Sequence, residues 1–171
     1  MFHAFDSHPA DRPPQRAQWM ALLARAPMAL LEPALGAHAR KTPRWLRAPE
    51  TGLMMVQGRA GGNGERFNLG EVTVTRCALR LAEPLQHEAP VGVAYVLGRS
   101  HRHAQLAATA DALLQDPAQH AVLDASLLAP VRAHLARERM ARRARAQASK
   151  VEFFTVARES GSAGEDEEEG A

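Results

Sequence analysis

The densest group of residues that could bind an anion lies between Gly58 and Phe67, where the sequence reads Gly-Arg-Ala-Gly-Gly-Asn-Gly-Glu-Arg-Phe. Clustered glycines let successive backbone N–H groups turn toward an anion, and arginines at the flanks could neutralise its charge. These contact candidates are Arg59, Gly61, Gly62, Gly64 and Arg66. The same residues also suit a plain turn between two strands, because glycine and asparagine tolerate positive φ. Residue types alone favour the turn, and anion binding stays open beside it.

The glycine pattern does not match the two common nucleotide-binding motifs. A dinucleotide fingerprint would need a third glycine at position 67 and a helix after it, whereas Phe67 opens a segment that reads as a strand. A Walker A sequence is also absent from the chain. We therefore do not predict a stand-alone nucleotide-binding domain.

The histidines and the cysteine give weaker signals. His101 and His103 stand two residues apart near the expected start of a helix, where their side chains point in different directions and cannot readily chelate one ion. We predict no metal site and interpret His103 as a packed or capping residue. Cys77 is the only cysteine, so it cannot form an internal disulfide or hold an iron–sulfur cluster. We interpret it as a buried strand residue, with a catalytic thiol as the alternative.

Charge is distributed unevenly along the chain. The formal net charge is +2, but residues 159–171 contain six acidic residues and no basic one. The remainder has 21 basic against 13 acidic residues, a net charge of +8 that suits nucleic acid, phosphate compounds or an acidic protein partner. The densest basic run comprises Arg132, Arg137, Arg139, Arg142, Arg143 and Arg145. Because no nucleic-acid-binding motif accompanies it and aromatic residues make up only 5% of the chain, we predict a solvated face or a protein contact.

The periodicity of apolar residues predicts a helical segment, then strands, then further helices and a last strand along the chain. The expected helical segments are residues 13–38, 100–115 and 119–148. Pro27 should divide the first, Ser100 should cap the second, and Pro130 should begin or bend the second half of the third. The expected strands are residues 45–47, 53–59, 67–81, 91–97 and 151–158. A turn is expected at Glu50-Thr51-Gly52 and a loop at residues 60–66.

Short connections between these strands favour antiparallel pairing, which predicts an α+β fold. We expect an antiparallel sheet of about four strands, with the N-terminal and central helices packed on it. Residues 13–158 should form this single domain, preceded by a mobile arm at residues 1–12 and followed by a disordered acidic tail at residues 159–171. The chain has no secretory signal and no apolar run long enough for a membrane span, so we expect a cytoplasmic protein without membrane contact.

The order of its short motifs makes the sequence similar to the PhnG family, the G subunit of the bacterial carbon–phosphorus lyase complex. The matching residues are Trp19-Met20, Glu50-Thr51-Gly52-Leu53, Arg59, Gly61-Gly62, Gly64-Glu65-Arg66-Phe67, Gly70, Thr73, Thr75-Arg76, Gly98-Arg99, His103-Ala104, Asp111-Ala112-Leu113, Arg139-Met140-Ala141-Arg142 and Phe153-Phe154-Thr155. They run in the expected order from about Gln15 to Arg158. Ser100 stands where the family pattern has aspartate, and the acidic tail lies outside the resemblance.

The resemblance implies a role in phosphonate catabolism within a multi-subunit transferase. Such a subunit acts with the H, I and L proteins to replace the adenine of ATP by methylphosphonate, giving α-D-ribose 1-methylphosphonate 5-triphosphate. The J subunit later cleaves that product with S-adenosylmethionine and an iron–sulfur cluster. We expect partners H, I and J, chiefly the I subunit, together with the L protein, and no nucleic acid. ATP and phosphonate are then substrates of the complex, and no cofactor is expected in this chain.

The resemblance carries over no defined catalytic residue, and we expect no activity from the chain alone. It adds Arg76 and His103 to the five contact candidates in the glycine-rich loop. A basic nucleic-acid-binding module is the alternative function, and a stand-alone phosphate-processing enzyme is a further one.

Overall fold

The computed structural model describes residues 15–39, 43–81 and 90–151. It has helices α1 (Arg16–Leu23), α2 (Met28–Ala39), α3 (His101–Leu114), α4 (Pro117–Leu123) and α5 (Ala129–Ala148), and strands β1 (Arg44–Arg59), β2 (Arg66–Arg80) and β3 (Val91–Leu97). The strands form an antiparallel sheet in the order β1-β2-β3. The predicted α+β class is confirmed. The expected N-terminal arm, acidic tail and nearly all of the strand at residues 151–158 lie outside the described residues.

Pro27 divides the N-terminal helical segment as predicted. Its carbonyl accepts from the N–H groups of Leu30 and Leu31 at 3.0 and 3.2 Å, so the proline ends one helix and opens the next. The axes of α1 and α2 differ by 112° at this break. Among the described residues no single helix is long and apolar enough to cross a membrane, and this bent pair reaches the required length only when combined.

The core lies between α3 and one face of the sheet. Along β2 the buried side chains are those of Val74, Thr75, Cys77 and Leu79, and the last three lie on one face of the strand. The helix contributes small side chains, so its backbone can approach the sheet closely. At Gly92 a Cβ atom would lie 1.9 Å from the carbonyl oxygen of Ala108. Only glycine therefore permits this contact between β3 and α3.

One predicted turn is wrong. Glu50, Thr51 and Gly52 are extended and lie within β1, opposite Arg76, Thr75 and Val74 of β2. The irregularity lies just before them, where the register shifts between Arg47 and Glu50 around Pro49. Proline cannot donate a hydrogen bond to the neighbouring strand, and a bulge at this point accommodates it. The chain therefore continues as one strand and does not turn back. The two predicted strands at residues 45–47 and 53–59 are thus one strand.

The hairpin of β1 and β2 extends well past the third strand. β3 pairs with β2 only from Val74 to Arg80, so residues 53–59 and 66–73 form a two-stranded ribbon, here called the arm. In the described part of the chain no strand pairs with either outer edge of the arm. Seven residues of β1 make the arm roughly 23 Å long at about 3.3 Å per residue.

The C-terminal helices begin as a continuation of the core and end in solvent. Asp116 caps α4 through a 2.9 Å hydrogen bond from the N–H of Ala118, and a π-helical segment, Asp124–Leu128, joins α4 to α5. Pro130 lies in the first turn of α5, as the predicted break requires. Only Val131 and Leu135 of α5 are buried, and every residue from 136 to 148 is exposed.

A buried carboxylate joins the N-terminal helix, the central helix and the sheet. Asp111 of α3 is fully buried and accepts four hydrogen bonds. Arg16 donates from Nε at 3.1 Å and from Nη2 at 2.7 Å, Trp19 donates from Nε1 at 2.9 Å, and the Val93 N–H donates at 2.8 Å. Because every donor is paired, removal of the carboxylate would leave a buried indole N–H, a strand N–H and a guanidinium unsatisfied.

Asp111→Ala should lower the free energy of unfolding by about 3–5 kcal/mol, the range expected when one partner of a buried, hydrogen-bonded ion pair is removed. Asp124→Ala is the matched control, because Asp124 forms only an exposed ion pair with Arg132, at 2.9 Å, and its loss should cost less than about 1 kcal/mol. Urea unfolding followed by circular dichroism measures both. Equal midpoints for the two variants would show that the Asp111 network does not hold the fold.

Candidate functional site

The glycine-rich loop forms the tip of the arm. Arg59 ends β1 and pairs with Arg66, the first residue of β2. Between them Gly61 and Gly62 adopt φ angles of +58° and +84°, which other residues rarely adopt. Arg59 donates from Nη1 to the carbonyl of Gly64 at 3.3 Å, which ties the strand end across the loop. The glycines therefore meet the backbone needs of a tight turn, while both arginines remain exposed at its base.

The structure does not bring all the contact candidates together. Arg76 lies ten residues along β2 from Arg66, which corresponds to roughly 33 Å of extended strand. His103 lies in the first turn of α3, where its N–H donates to the Ser100 side chain at 3.2 Å. Its Nε2 donates to the Leu23 carbonyl at 2.8 Å, which satisfies the end of α1. The predicted packed and capping role of His103 is confirmed, and the predicted N-cap at Ser100 is confirmed with it.

A second constellation forms where β1, β2 and the start of α3 meet. The Thr75 hydroxyl donates to the Gly98 carbonyl at 2.7 Å and lies 3.0 Å from the Thr51 hydroxyl. Thr51 Oγ1 in turn lies 3.2 Å from Nε2 of His101. A hydroxyl has one hydrogen, so Thr51 must donate to Thr75 and His101 must donate to Thr51. The chain of hydrogen bonds therefore fixes the proton of neutral His101 on Nε2 and leaves Nδ1 as a possible acceptor.

Charged residues surround this constellation on the hairpin. Glu50 accepts hydrogen bonds from Arg47 and, at 2.6 Å, from Nε of Arg76. These two donors, Arg47 first, hold the pKa of the Glu50 carboxyl below its ordinary value. Glu50 is therefore ionised near neutral pH, and the three side chains together carry one net positive charge. Such a surface can contact an anion or an acidic partner.

Sequence reasoning missed Thr51 and His101 as members of one site. It placed Thr51 in a turn and weighed His101 only as a metal ligand, although Glu50-Thr51, Thr75-Arg76 and Gly98-Arg99 were all among the motifs of the resemblance. The expected hairpin brings the first two motifs into neighbouring positions, but the pairing of Thr51 with Thr75 depends on one extra residue in β2 that the sequence does not reveal. The last motif joins them because β3 ends beside Val74, where the Gly98 N–H donates to the Thr73 carbonyl at 2.9 Å.

The remaining candidate groups show little reactivity. Burial raises the pKa of the Cys77 thiol to about 11, so the thiol stays protonated at neutral pH. Its interpretation as a buried strand residue is confirmed. Across residues 15–39, 43–81 and 90–151, no three histidine, cysteine or acidic side chains converge on a common point where they could hold a metal ion.

The hydrogen-bond chain predicts the tautomer of His101. At a pH where the imidazole is neutral, the ¹⁵N NMR shifts should report a proton on Nε2, and Thr51→Val should abolish that preference because it removes the acceptor. Thr73→Val is the matched control, since Thr73 lies on the same strand face as Thr75 without a side-chain bond to His101. A ring protonated mainly on Nδ1 in the unmodified chain would contradict the assignment.

Comparisons with known proteins agree with the motif resemblance. The family model described as "Phosphonate metabolism protein PhnG" matches residues 14–159. A protein of Rhizobium meliloti (strain 1021), named alpha-D-ribose 1-methylphosphonate 5-triphosphate synthase subunit PhnG, is 41% identical over 145 residues. That alignment covers 84% of this chain and 89% of the relative. Because the family model spans all of the described residues and the relative is this similar over most of both chains, the chain belongs to the PhnG family.

Proposed function

We propose that this chain is a subunit of the complex that makes α-D-ribose 1-methylphosphonate 5-triphosphate during phosphonate catabolism. The observation that carries the proposal, beside the family, is the exposed apolar arm. Its large apolar side chains remain between 44% and 67% exposed. They are Leu53, Met54, Met55, Phe67 and Leu69. An isolated hairpin with that much apolar surface is marginal in water and prone to association, which supports a partner that covers it.

The arm suits a protein partner better than a small ligand. Its apolar residues lie on both faces of the ribbon, so a partner must enclose the arm rather than touch one side of it. Methionine side chains adapt to irregular surfaces, and the unpaired strand edges can add to a partner's sheet. We propose the I subunit as the chief partner, with the H and J subunits and the L protein in the same system.

The proposed reaction transfers the ribose triphosphate of ATP to methylphosphonate and releases adenine. In it this chain contributes contacts to the complex rather than a complete active site. The buried thiol, the scattered histidines and the pairing of Glu50 with two arginines support that division of labour. We propose further that the protein works in the cytoplasm, holds no cofactor of its own, and makes no functional contact with nucleic acid.

Charged substitutions on the arm should prevent assembly. Leu53→Glu with Met55→Glu places two carboxylates where we propose an apolar contact, and burying them unpaired would cost several kcal/mol. We expect loss of co-purification with the co-expressed I subunit and loss of the rise in melting temperature that the partner gives to the unmodified chain.

Val122→Glu is the matched control for this experiment. Val122 is 62% exposed on α4, outside the arm, so one carboxylate introduced there should leave assembly intact. Normal co-elution of the arm variant would refute the proposed docking role of the arm. Failure of the unmodified chain to bind the I subunit would refute the subunit function itself.

The tip of the arm is proposed to lie near the bound triphosphate or phosphonate. Arg59→Ala and Arg66→Ala should each leave the complex assembled and lower the rate of adenine release by about ten-fold, the effect of losing one charge-assisted hydrogen bond. Single-turnover adenine release by the purified complex measures this. Arg44→Ala is the control, because Arg44 is an exposed arginine at the opposite end of the same strand.

Each outcome of the arginine experiment assigns the tip differently. Failed assembly in either tip variant would make the arginines interface residues rather than ligand contacts. Normal assembly with a normal rate in both would reduce the glycine-rich loop to a turn. A loss of rate as large in Arg44→Ala would show a general effect of charge rather than a contact at the tip.

A further inference from the structure

The second half of α5 projects from the body of the protein as a basic helix. Residues 136–148 are all exposed, and they contain five arginines and one glutamate, a net charge of +4. The arginines are Arg137, Arg139, Arg142, Arg143 and Arg145. Within the described part of the chain none of these five forms an ion pair, whereas Arg132, in the packed first half of the helix, is held by Asp124 at 2.9 Å.

Three of the five arginines are neighbours on one side of the projecting helix, and the other two extend the basic surface around it. Arg139, Arg142 and Arg143 follow the i, i+3, i+4 spacing of neighbours on a helix surface. The line of Ala136, Met140 and Ala144, spaced by four residues, runs along another side. The structure therefore exposes a run of like charges whose mutual repulsion is not relieved by acidic neighbours on α5, apart from Glu138. A flexible polyanion is the partner that such a surface fits.

We propose that the acidic tail of this same chain, residues 159–169, binds the arginine face of α5. The tail carries six acidic residues and no basic one, against the net charge of +4 on the projecting helix. Ten residues separate it from the end of α5, and it begins where the family match ends, at residue 159. Its charge thus complements a surface to which it is already tethered.

The length of the tether fits this docking. Glu165 lies fourteen positions after Val151, and a chain of that length spans at most about 48 Å when fully extended. Counting back along the helix, Arg142 lies nine residues before Val151, a distance of about 14 Å at 1.5 Å per residue. The length of the intervening chain exceeds this distance, so the tail can reach the arginines without a separate binding partner.

Docking of the tail masks the helix from other polyanions. Each arginine neutralised by the tail is unavailable to a phosphate or sulfate group. The full chain should therefore bind polyanions more weakly than a chain without the tail. The contact is an exposed electrostatic one, so salt should weaken it over the range in which the Debye length falls below about 10 Å. The tail then acts as a tethered counter-ion that leaves assembly and turnover unchanged.

Binding of a heparin dodecasaccharide tests the proposal by a double-mutant cycle. The full chain is compared with a chain stopped before Glu159, each with and without Arg139→Gln and Arg142→Gln, at about 0.1 M salt. We expect truncation to tighten heparin binding by about ten-fold or more in the unmodified chain and by less than about three-fold in the arginine variant. Arg44→Gln with Arg99→Gln is the charge-matched control, since both residues are exposed and lie away from α5.

Comparing the Arg139/Arg142 variant with the Arg44/Arg99 control separates docking from a general effect of net charge. Truncation could change heparin binding equally in the unmodified chain, the Arg139/Arg142 variant and the Arg44/Arg99 control. That result would refute docking, because a tail that acts only through total charge affects binding independently of which arginines are present. Amide spectra of the full and truncated chains give a second measurement: shifts confined to residues 137–145 that vanish at about 0.5 M salt support docking, and unchanged spectra refute it. Neither measurement requires phosphonate chemistry, so either can fail while the proposed function stands.

Discussion

The carboxylate of Asp111 is the contact on which the arrangement of the domain depends. One side chain in the middle of α3 binds the indole and guanidinium of α1 and a backbone N–H of β3, so three elements distant in sequence share one anchor. Arg16 extends the same network to the Val91 carbonyl at 2.9 Å, which Gln115 also contacts at 2.9 Å. A polar network in which each donor is satisfied specifies a single packing, whereas apolar contacts alone would allow α1 to slide.

The arm and the projecting part of α5 contrast with that anchored centre. In the centre, Gly92 and the alanines of α3 bring backbone against backbone, and almost nothing remains exposed. In the arm and in residues 136–148, side chains that could pack or pair remain in solvent. Stability is thus concentrated in a small body, and the two extensions are left to contact other chains or other segments. Such an uneven distribution is typical of subunits whose surface is completed on assembly.

The sequence predicted those elements whose signals are local. Pro27 and Ser100 marked a helix break and a helix start, and Cys77 was predicted to be a buried strand residue. The cluster around Thr51 could not be found in the same way. Counting outward from the pair Arg59–Arg66 sets Thr51 opposite Val74, and only the extra residue near Leu69 moves it to Thr75. Asp111 is the one acidic residue in the alanine-rich helix α3, but the sequence does not indicate which donors it binds.

The bulge near Leu69 has a consequence for how this hairpin can vary. Side chains alternate between the faces of a strand, so the number of paired residues between the Thr51 cluster and the tip decides which face each tip residue occupies. The extra residue shifts β2 by one position relative to β1 within the arm. An insertion or deletion of one residue in either strand would change that parity and reverse the faces beyond it, whereas a change of two residues in both strands would preserve them. The arm can therefore lengthen or shorten in even steps while the body and the tip keep their relative orientation.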